Sequence, residues 1–311
     1  MTRRLPAAWL ACALFAACAP GIRAADLTGT LTGVGSDTAS ALVARWAEAF
    51  RAEHPRVLVQ VQAAGSASTP TALTEGAADF GSMSRPMSGA ETAAFRARHG
   101  YAPTPVVVAH DAIAVFVHPD NPLQRITLAQ LDAIYSAGRL CHAAVPVRTW
   151  RDLGVTDATL ADLRVLASGR NDASGTYEVF REGALCGGRY RPDVVAWPGN
   201  GAVVATVAQN REAIGYAGLG YVNGLVKPLA LARDDQDAGT MPDRASVTQG
   251  RYALSRALFL YVNRPPGSAL AELPAAFLAY ALSDEGQALA QREGFTPLQY
   301  DERAAQRARI E

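Results

Sequence analysis

The sequence predicts an α/β protein, and two observations carry that expectation. Apolar residues switch along the chain between the two-residue period of a strand and the three-to-four-residue period of a helix. A small polar or glycine-rich loop joins most of these strands to the helix that follows, the arrangement of sheets whose loops gather at the carboxyl ends of the strands. Length adds a third point: the 311 residues exceed what one hydrophobic core usually holds, so two domains are expected.

The first residues set the compartment. Arg3 and Arg4 precede an almost wholly apolar run from Leu5 to Ala19, shorter than the roughly 20 residues of a spanning helix. Such a start reads as a secretory leader over residues 1–25. Cleavage before Ala25 competes with a lipoprotein-like box ending at Cys18. No later segment approaches spanning length, so a soluble, exported body is expected. Losing the leader removes Arg3, Arg4 and Arg23 and no acid, leaving 26 basic against 29 acidic side chains. That balance lacks the basic footprint of a nucleic-acid binder. Cys12 and Cys18 fall in the leader. Cys141 and Cys186 remain, and one disulfide between them is expected in an oxidising compartment, two buried thiols being the alternative. The few histidines lack metal-ligand spacing, so neither metal nor cofactor is expected.

The elements follow in order. Leu27 to Leu31 reads as a strand entering the turn Gly33-Val34-Gly35-Ser36-Asp37-Thr38. Leu42, Trp46 and Phe50 then mark a helix, with Arg45, Glu48 and Arg51 turned outward. Val57, Val59 and Val61 alternate as a strand, and Gly65-Ser66-Ala67-Ser68-Thr69 opens a further helix. Ala78 to Arg85 is a short strand with a polar end. Val106–Ala109 and Ala112–Val117 are strand-like around His110-Asp111. Leu128–Ile134 is helical, Val165–Ala167 a strand, and the loop from Gly169 to Thr176 opens a helix through Phe180. Ala213–Gly218 and Ala257–Val262 are apolar strands, and helices around Phe277–Leu282 and Gly286–Arg292 close the chain.

Three separated segments share one design. Ser36-Asp37-Thr38, Gly65-Ser66-Ala67-Ser68-Thr69 and Ser174-Gly175-Thr176 each place small hydroxyl residues just before a helix. A helix start exposes unpaired N–H groups and partial positive charge, so one such turn is an ordinary cap and several that converge would surround an anion. Arg85, after Ser84, and Arg170, before Ser174, add cations; a guanidinium suits an oxyanion by its two-pronged donors.

The ordered set Gly35-Ser36-Asp37-Thr38, Gly65-Ser66, Asp79-Phe80-Gly81-Ser82-Met83-Ser84-Arg85, Ala109-His110-Asp111-Ala112, His118-Pro119-Asp120-Asn121-Pro122 and Arg170 with Ser174-Gly175-Thr176 resembles the phosphate-specific substrate-binding proteins of ABC transporters. The resemblance covers essentially the whole mature chain. It implies a periplasmic-binding-protein type II fold: two lobes, each a central sheet flanked by helices, joined by two crossing strands. Lobe one would take residues 26–111 and 256–311 and lobe two residues 112–255, with the hinge at Asp111–Ala114 and Leu258–Val262. It implies inorganic phosphate as ligand, an ABC transporter permease as partner, a monomer in the periplasm, and no enzymatic activity. Ser36, Thr38, Ser66, Ser84, Arg170, Ser174, Gly175 and Thr176 would donate to the anion, with Asp37 and Arg85 in the same site. Some members carry an aspartate where this chain has Arg85, and that aspartate accepts the proton of phosphate and so rejects sulfate. Asp111, and after it Asp172, are the expected replacements.

Two other readings stay open on the residues. One keeps the fold and changes the ligand to sulfate, molybdate or arsenate, or the role to phosphate sensing or adhesion. The other is a phosphatase or esterase using one of the serines, against which stands the lack of a Gly-x-Ser-x-Gly elbow or a nucleophile–base pair.

Overall fold

In a computed structural model, which describes residues 27–141, 143 and 145–310, β1 (Gly29–Gly35) runs into α1 (Asp37–Glu53) with only Ser36 between them. The leader and Cys18 lie outside these residues. α1 buries Leu42, Val43, Trp46 and Phe50, the stripe read from the sequence. β2 (Val57–Gln62), α2 (Ser68–Thr74), β3 (Phe80–Met83) and α3 (Gly89–His99) follow, then the fourteen-residue β4 (Thr104–Val117). The two strand-like segments around His110-Asp111 are thus one strand. Next come β5 (Arg125–Thr127), α4 (Leu128–Tyr135), β6 (Leu166–Arg170), α5 (Gly175–Leu185), β7 (Val195–Trp197), α6 (Asn200–Gln209) and β8 (Ala213–Gly218). The chain ends with β9 (Lys227–Pro228), β10 (Ala230–Ala232), α7 (Arg244–Thr248), β11 (Ser255–Val262), α8 (Glu272–Ala281), α9 (Asp284–Arg292) and α10 (Tyr300–Arg307).

The main sheet has the order β2-β1-β3-β11-β4-β8-β6-β7, with β9 beside β4. β4 is the seam. Its first part, to Ala112, pairs antiparallel with β11, and Ile113 to Val117 pair antiparallel with β8. Strand alternation explains why one segment serves several cores. Val106 and Val108 join the core of α1, β11 and α8, with Trp46, Phe50, Leu258, Leu260 and Phe277. Beyond the seam, Ile113, Val115 and Val117 pack with Trp150, Phe180 and Tyr216. Ala114 and Phe116 face the other way, onto Val203 and Val207 of α6. β8 is buried along its whole length, as a strand covered by helices on both faces must be. Gly215 permits this packing, because a Cβ there would lie 2.8 Å from side-chain carbons of Val203 and Val207.

Cys141 and Cys186 form a disulfide with Cα atoms 5.4 Å apart. It ties the loop after α4 to the end of α5, closing a separation of 45 residues.

Candidate anion site

β1 and β3 run parallel, and their carboxyl ends deliver Ser36 and Ser84 to one place. Ser36 caps α1, accepting from the Ala39 N–H at 3.4 Å, and its hydroxyl donates to Ser84 Oγ at 3.1 Å. Ser66 comes from the loop before α2: its Oγ accepts from the Ser84 N–H at 3.1 Å and lies 3.3 Å from Ser84 Oγ. From the other side of the seam, Ser174 caps α5 by accepting from the Thr176 N–H at 3.1 Å. Thr176 Oγ1 sits 2.8 Å from Thr38 Oγ1. Turns that are 138 residues apart in sequence therefore meet, and all six hydroxyl residues are at most 1% exposed.

Two glycines make the approach possible. Gly65, at φ +98°, lies so close to the loop before α5 that a Cβ would stand 2.5 Å from Ala173 O. The Ala67 N–H donates to that same carbonyl at 3.1 Å. Gly175 faces the serines: a Cβ there would lie 2.5 Å from Ser66 Oγ and 2.6 Å from Ser84 Oγ.

Arg170, the last residue of β6, is 1% exposed. Its Nε donates to Trp197 O at 3.3 Å, and Nη2 donates to Asp37 Oδ1 at 2.5 Å and to Pro198 O at 2.7 Å. These bonds use three of the five N–H groups of a guanidinium. Nη1 is buried and has no partner among the described residues. A buried charged donor without an acceptor costs far more than a satisfied one, so an orphan of this kind points to a ligand. Tyr216 supports the strand end, its hydroxyl accepting from the Arg170 N–H at 3.2 Å; burial pushes that phenol up to about 12, so it stays protonated.

A second arginine, which the sequence reading overlooked, shares the site. Arg256, near the start of β11, donates through Nε and Nη2 to Asp111 Oδ2 at 2.9 and 2.6 Å, and through Nη1 to Thr176 Oγ1 at 2.8 Å. Asn200, at the start of α6, was also missed. Its Oδ1 accepts from the Gly218 N–H, which orients the amide so that Nδ2 donates to Asp37 Oδ2 at 2.9 Å and Thr38 Oγ1 at 3.1 Å. Two arginines therefore face two aspartates, and the site has no net side-chain charge.

Two expected residues fall elsewhere. Arg85 turns away to a bidentate pair with Glu91, at 2.7 and 2.6 Å, because Glu91 sits at the start of α3 with Ser88 as its cap. Asp172 is exposed, and Arg170 takes its carboxylate partner from Asp37 instead of from its sequence neighbour. Asp111 is in the cluster, bonded to Arg256 and, through Oδ1, to the Leu219 N–H at 3.2 Å.

Residues 23–285 match the family model described as the PBP superfamily domain. The phosphate-binding protein PstS of Pseudomonas aeruginosa is 46% identical over 276 residues, covering 89% of this chain and 85% of that one. The chain belongs to the PstS family. Protein SphX of Synechococcus elongatus is 31% identical, over 94% of this chain and 84% of its own length. Among solved structures, a phosphate ABC transporter substrate-binding protein from Clostridium perfringens, with bound phosphate, aligns at 25% identity and a TM-score of 0.73, covering 87% of this chain and all of that one. An ABC-type phosphate transport receptor from Vibrio cholerae shares the fold at a TM-score of 0.66 and 23% identity, over 86% of this chain and all of its own. The fold is the periplasmic-binding-protein type II fold, as the sequence resemblance implied.

Proposed function

We propose that this chain is an exported receptor that captures inorganic phosphate between its two lobes and passes it to the permease of an ABC importer. The observation that carries the reading is the orphaned Nη1 of Arg170, buried at a strand end beside hydroxyl-bearing turns from both sides of the seam. Ser36, Thr38, Ser66, Ser84, Ser174 and Thr176 supply neutral donors, and the N–H groups at the starts of α1 and α5 add the partial charge that favours an anion. Charge-assisted hydrogen bonds contribute about 1.5–3 kcal/mol each, and micromolar binding needs only about 8 kcal/mol, so half a dozen suffice after closure costs. The relatives are themselves phosphate-binding proteins, which supports the same ligand.

Residues 26–111 with 256–311 form one lobe in this reading and residues 112–255 the other, with β4 and β11 as the crossing strands. The leader over residues 1–25 exports a monomer to the periplasm, with lipid anchoring at Cys18 as the variant. Discrimination against sulfate falls to Asp111. Its Oδ1 accepts one N–H, and a carboxylate oxygen has capacity for the proton of hydrogen phosphate as well.

Calorimetry on the purified protein with phosphate and sulfate at neutral pH tests the proposal. Micromolar or tighter phosphate binding with sulfate roughly 5- to 150-fold weaker is expected, since an unpaired buried acceptor costs about 1–3 kcal/mol. Equal affinities would remove the selectivity argument and leave a general oxyanion receptor. Binding of neither anion would overturn the function.

A further inference from the structure

Asp37 differs from the hydroxyl residues around it, because the opposite side of the seam claims both of its carboxylate oxygens. Oδ1 receives Arg170 Nη2 at 2.5 Å, and Oδ2 receives Asn200 Nδ2 at 2.9 Å and the Asn200 N–H at 3.3 Å. Tyr221 donates to the Asp37 carbonyl at 2.7 Å, so backbone and side chain are gripped together. We propose that Asp37 is a positioning residue for anion capture: it sets the Arg170 fork from the other lobe, making closure and alignment of the anion-binding guanidinium one event. The inference rests on Arg170 being a ligand of the proposed phosphate site.

A guanidinium is planar, so fixing both N–H groups of Nη2 fixes where Nη1 points. Among the described residues of its own lobe, the Arg170 guanidinium finds only the neutral carbonyls of Trp197 and Pro198. The nearby acid in sequence, Asp172, is exposed. The charged acceptor therefore arrives with α1, and it leaves with α1 when the lobes part. In the open form Arg170 is an uncompensated cation that draws an anion in. In the closed form Asp37 takes one face of the fork and turns Nη1 to the ligand. Asn200 is the go-between: Gly218 sets its amide, and the amide holds Asp37 against rotation.

This division assigns Asp37 to retention rather than to encounter. The test uses the full mature protein and inorganic phosphate, with affinity from calorimetry and dissociation from loss of labelled phosphate in an excess of unlabelled phosphate. Asp37→Asn is expected to raise the dissociation rate about 10- to 100-fold, the scale of one charge-assisted hydrogen bond. The association rate should stay within about threefold. Asp37→Glu, which keeps the carboxylate, should dissociate several-fold more slowly than Asp37→Asn; equal rates for the two would overturn the role. If Asp37→Asn does not fold, Asn200→Ala serves instead, and an unchanged dissociation rate there rejects the proposal. Asp37→Asn behaving as wild type while Arg170→Ala no longer binds would sink the positioning role and leave the site standing. Wild-type affinity in Arg170→Ala would sink the site reading itself.

Discussion

Removing the Arg170 side chain is the perturbation whose size follows most directly from the geometry. Nη1 carries two N–H groups and has no partner among the described residues, so both are available to phosphate. At about 1.5–3 kcal/mol for each charge-assisted bond, Arg170→Ala loses about 3–6 kcal/mol of binding. With about 1.4 kcal/mol per tenfold, phosphate affinity falls roughly 10²- to 10⁴-fold. A second term has the same sign. Asp37 keeps its Asn200 bonds but loses its cation, and stranding a carboxylate in a closed cleft disfavours closure. The unliganded protein escapes that cost by opening, so its melting temperature should fall only a few degrees while phosphate no longer raises it. Calorimetry at fixed ionic strength, paired with thermal unfolding with and without phosphate, reads both. Phosphate affinity within tenfold of wild type in a folded Arg170→Ala protein would refute the reasoning, because among the described residues no other atom in the site is both charged and unpartnered.

Other outcomes follow from the same contacts. Gly175→Ala should leave folding nearly intact yet weaken phosphate binding at least tenfold, because its Cβ would lie 2.5 Å from Ser66 Oγ and 2.6 Å from Ser84 Oγ and must turn those hydroxyls away; unchanged calorimetry would contradict this. Replacing Cys141 and Cys186 by serine reopens a 45-residue separation and should cost about 2–4 kcal/mol, a melting temperature lower by roughly 5–10 °C, with phosphate affinity retained because the bridge lies away from the anion cluster. Glu91 gives a pH signature. Burial pushes its carboxyl up, but bonds from Arg85 and Ser88 outweigh that and hold it below the ordinary 4.5. A depressed acid contributes stability above its unfolded value and loses it as pH falls through the folded one. Thermal unfolding of Glu91→Gln should therefore differ most from wild type near neutral pH and converge with it as pH falls through the depressed folded value; a gap that widens in acid would reverse the sign argued here.

The parts of this molecule that speak in local pattern were legible in the sequence. The Leu42-Trp46-Phe50 stripe is buried as α1, the glycine-spaced Ala213–Gly218 run is wholly buried as β8, and the hydroxyl turns before α1 and α5 converge. What stayed hidden depends on partners distant in the chain. Arg256 is the second residue of a strand whose visible signal is the apolar run after it, and its partner Asp111 lies 145 residues away. Asn200 was missed because α6 was not recognised, although Val203, Val204 and Val207 carry a helical period that could have exposed it. Arg85 and Asp172 were chosen for adjacency to site residues, yet Glu91 captures the first and solvent the second. Adjacency in sequence fixes a backbone position; which way a long side chain turns is decided by the nearest counter-charge in space. Asp37 shows the same rule from the other side, since an acid that reads as an N-terminal helix residue becomes the partner of an arginine 133 positions on.

A crystal structure of the mature protein grown with phosphate tests the central claim most directly. The anion should lie within about 3 Å of Arg170 Nη1, the charge-assisted bonding distance, and within reach of hydroxyls from both the Ser36–Ser66–Ser84 cluster and the start of α5. An anion bound elsewhere, such as in the separate groove that Arg85, Glu178 and Ser255 line, with Arg170 Nη1 still unpartnered, would contradict it.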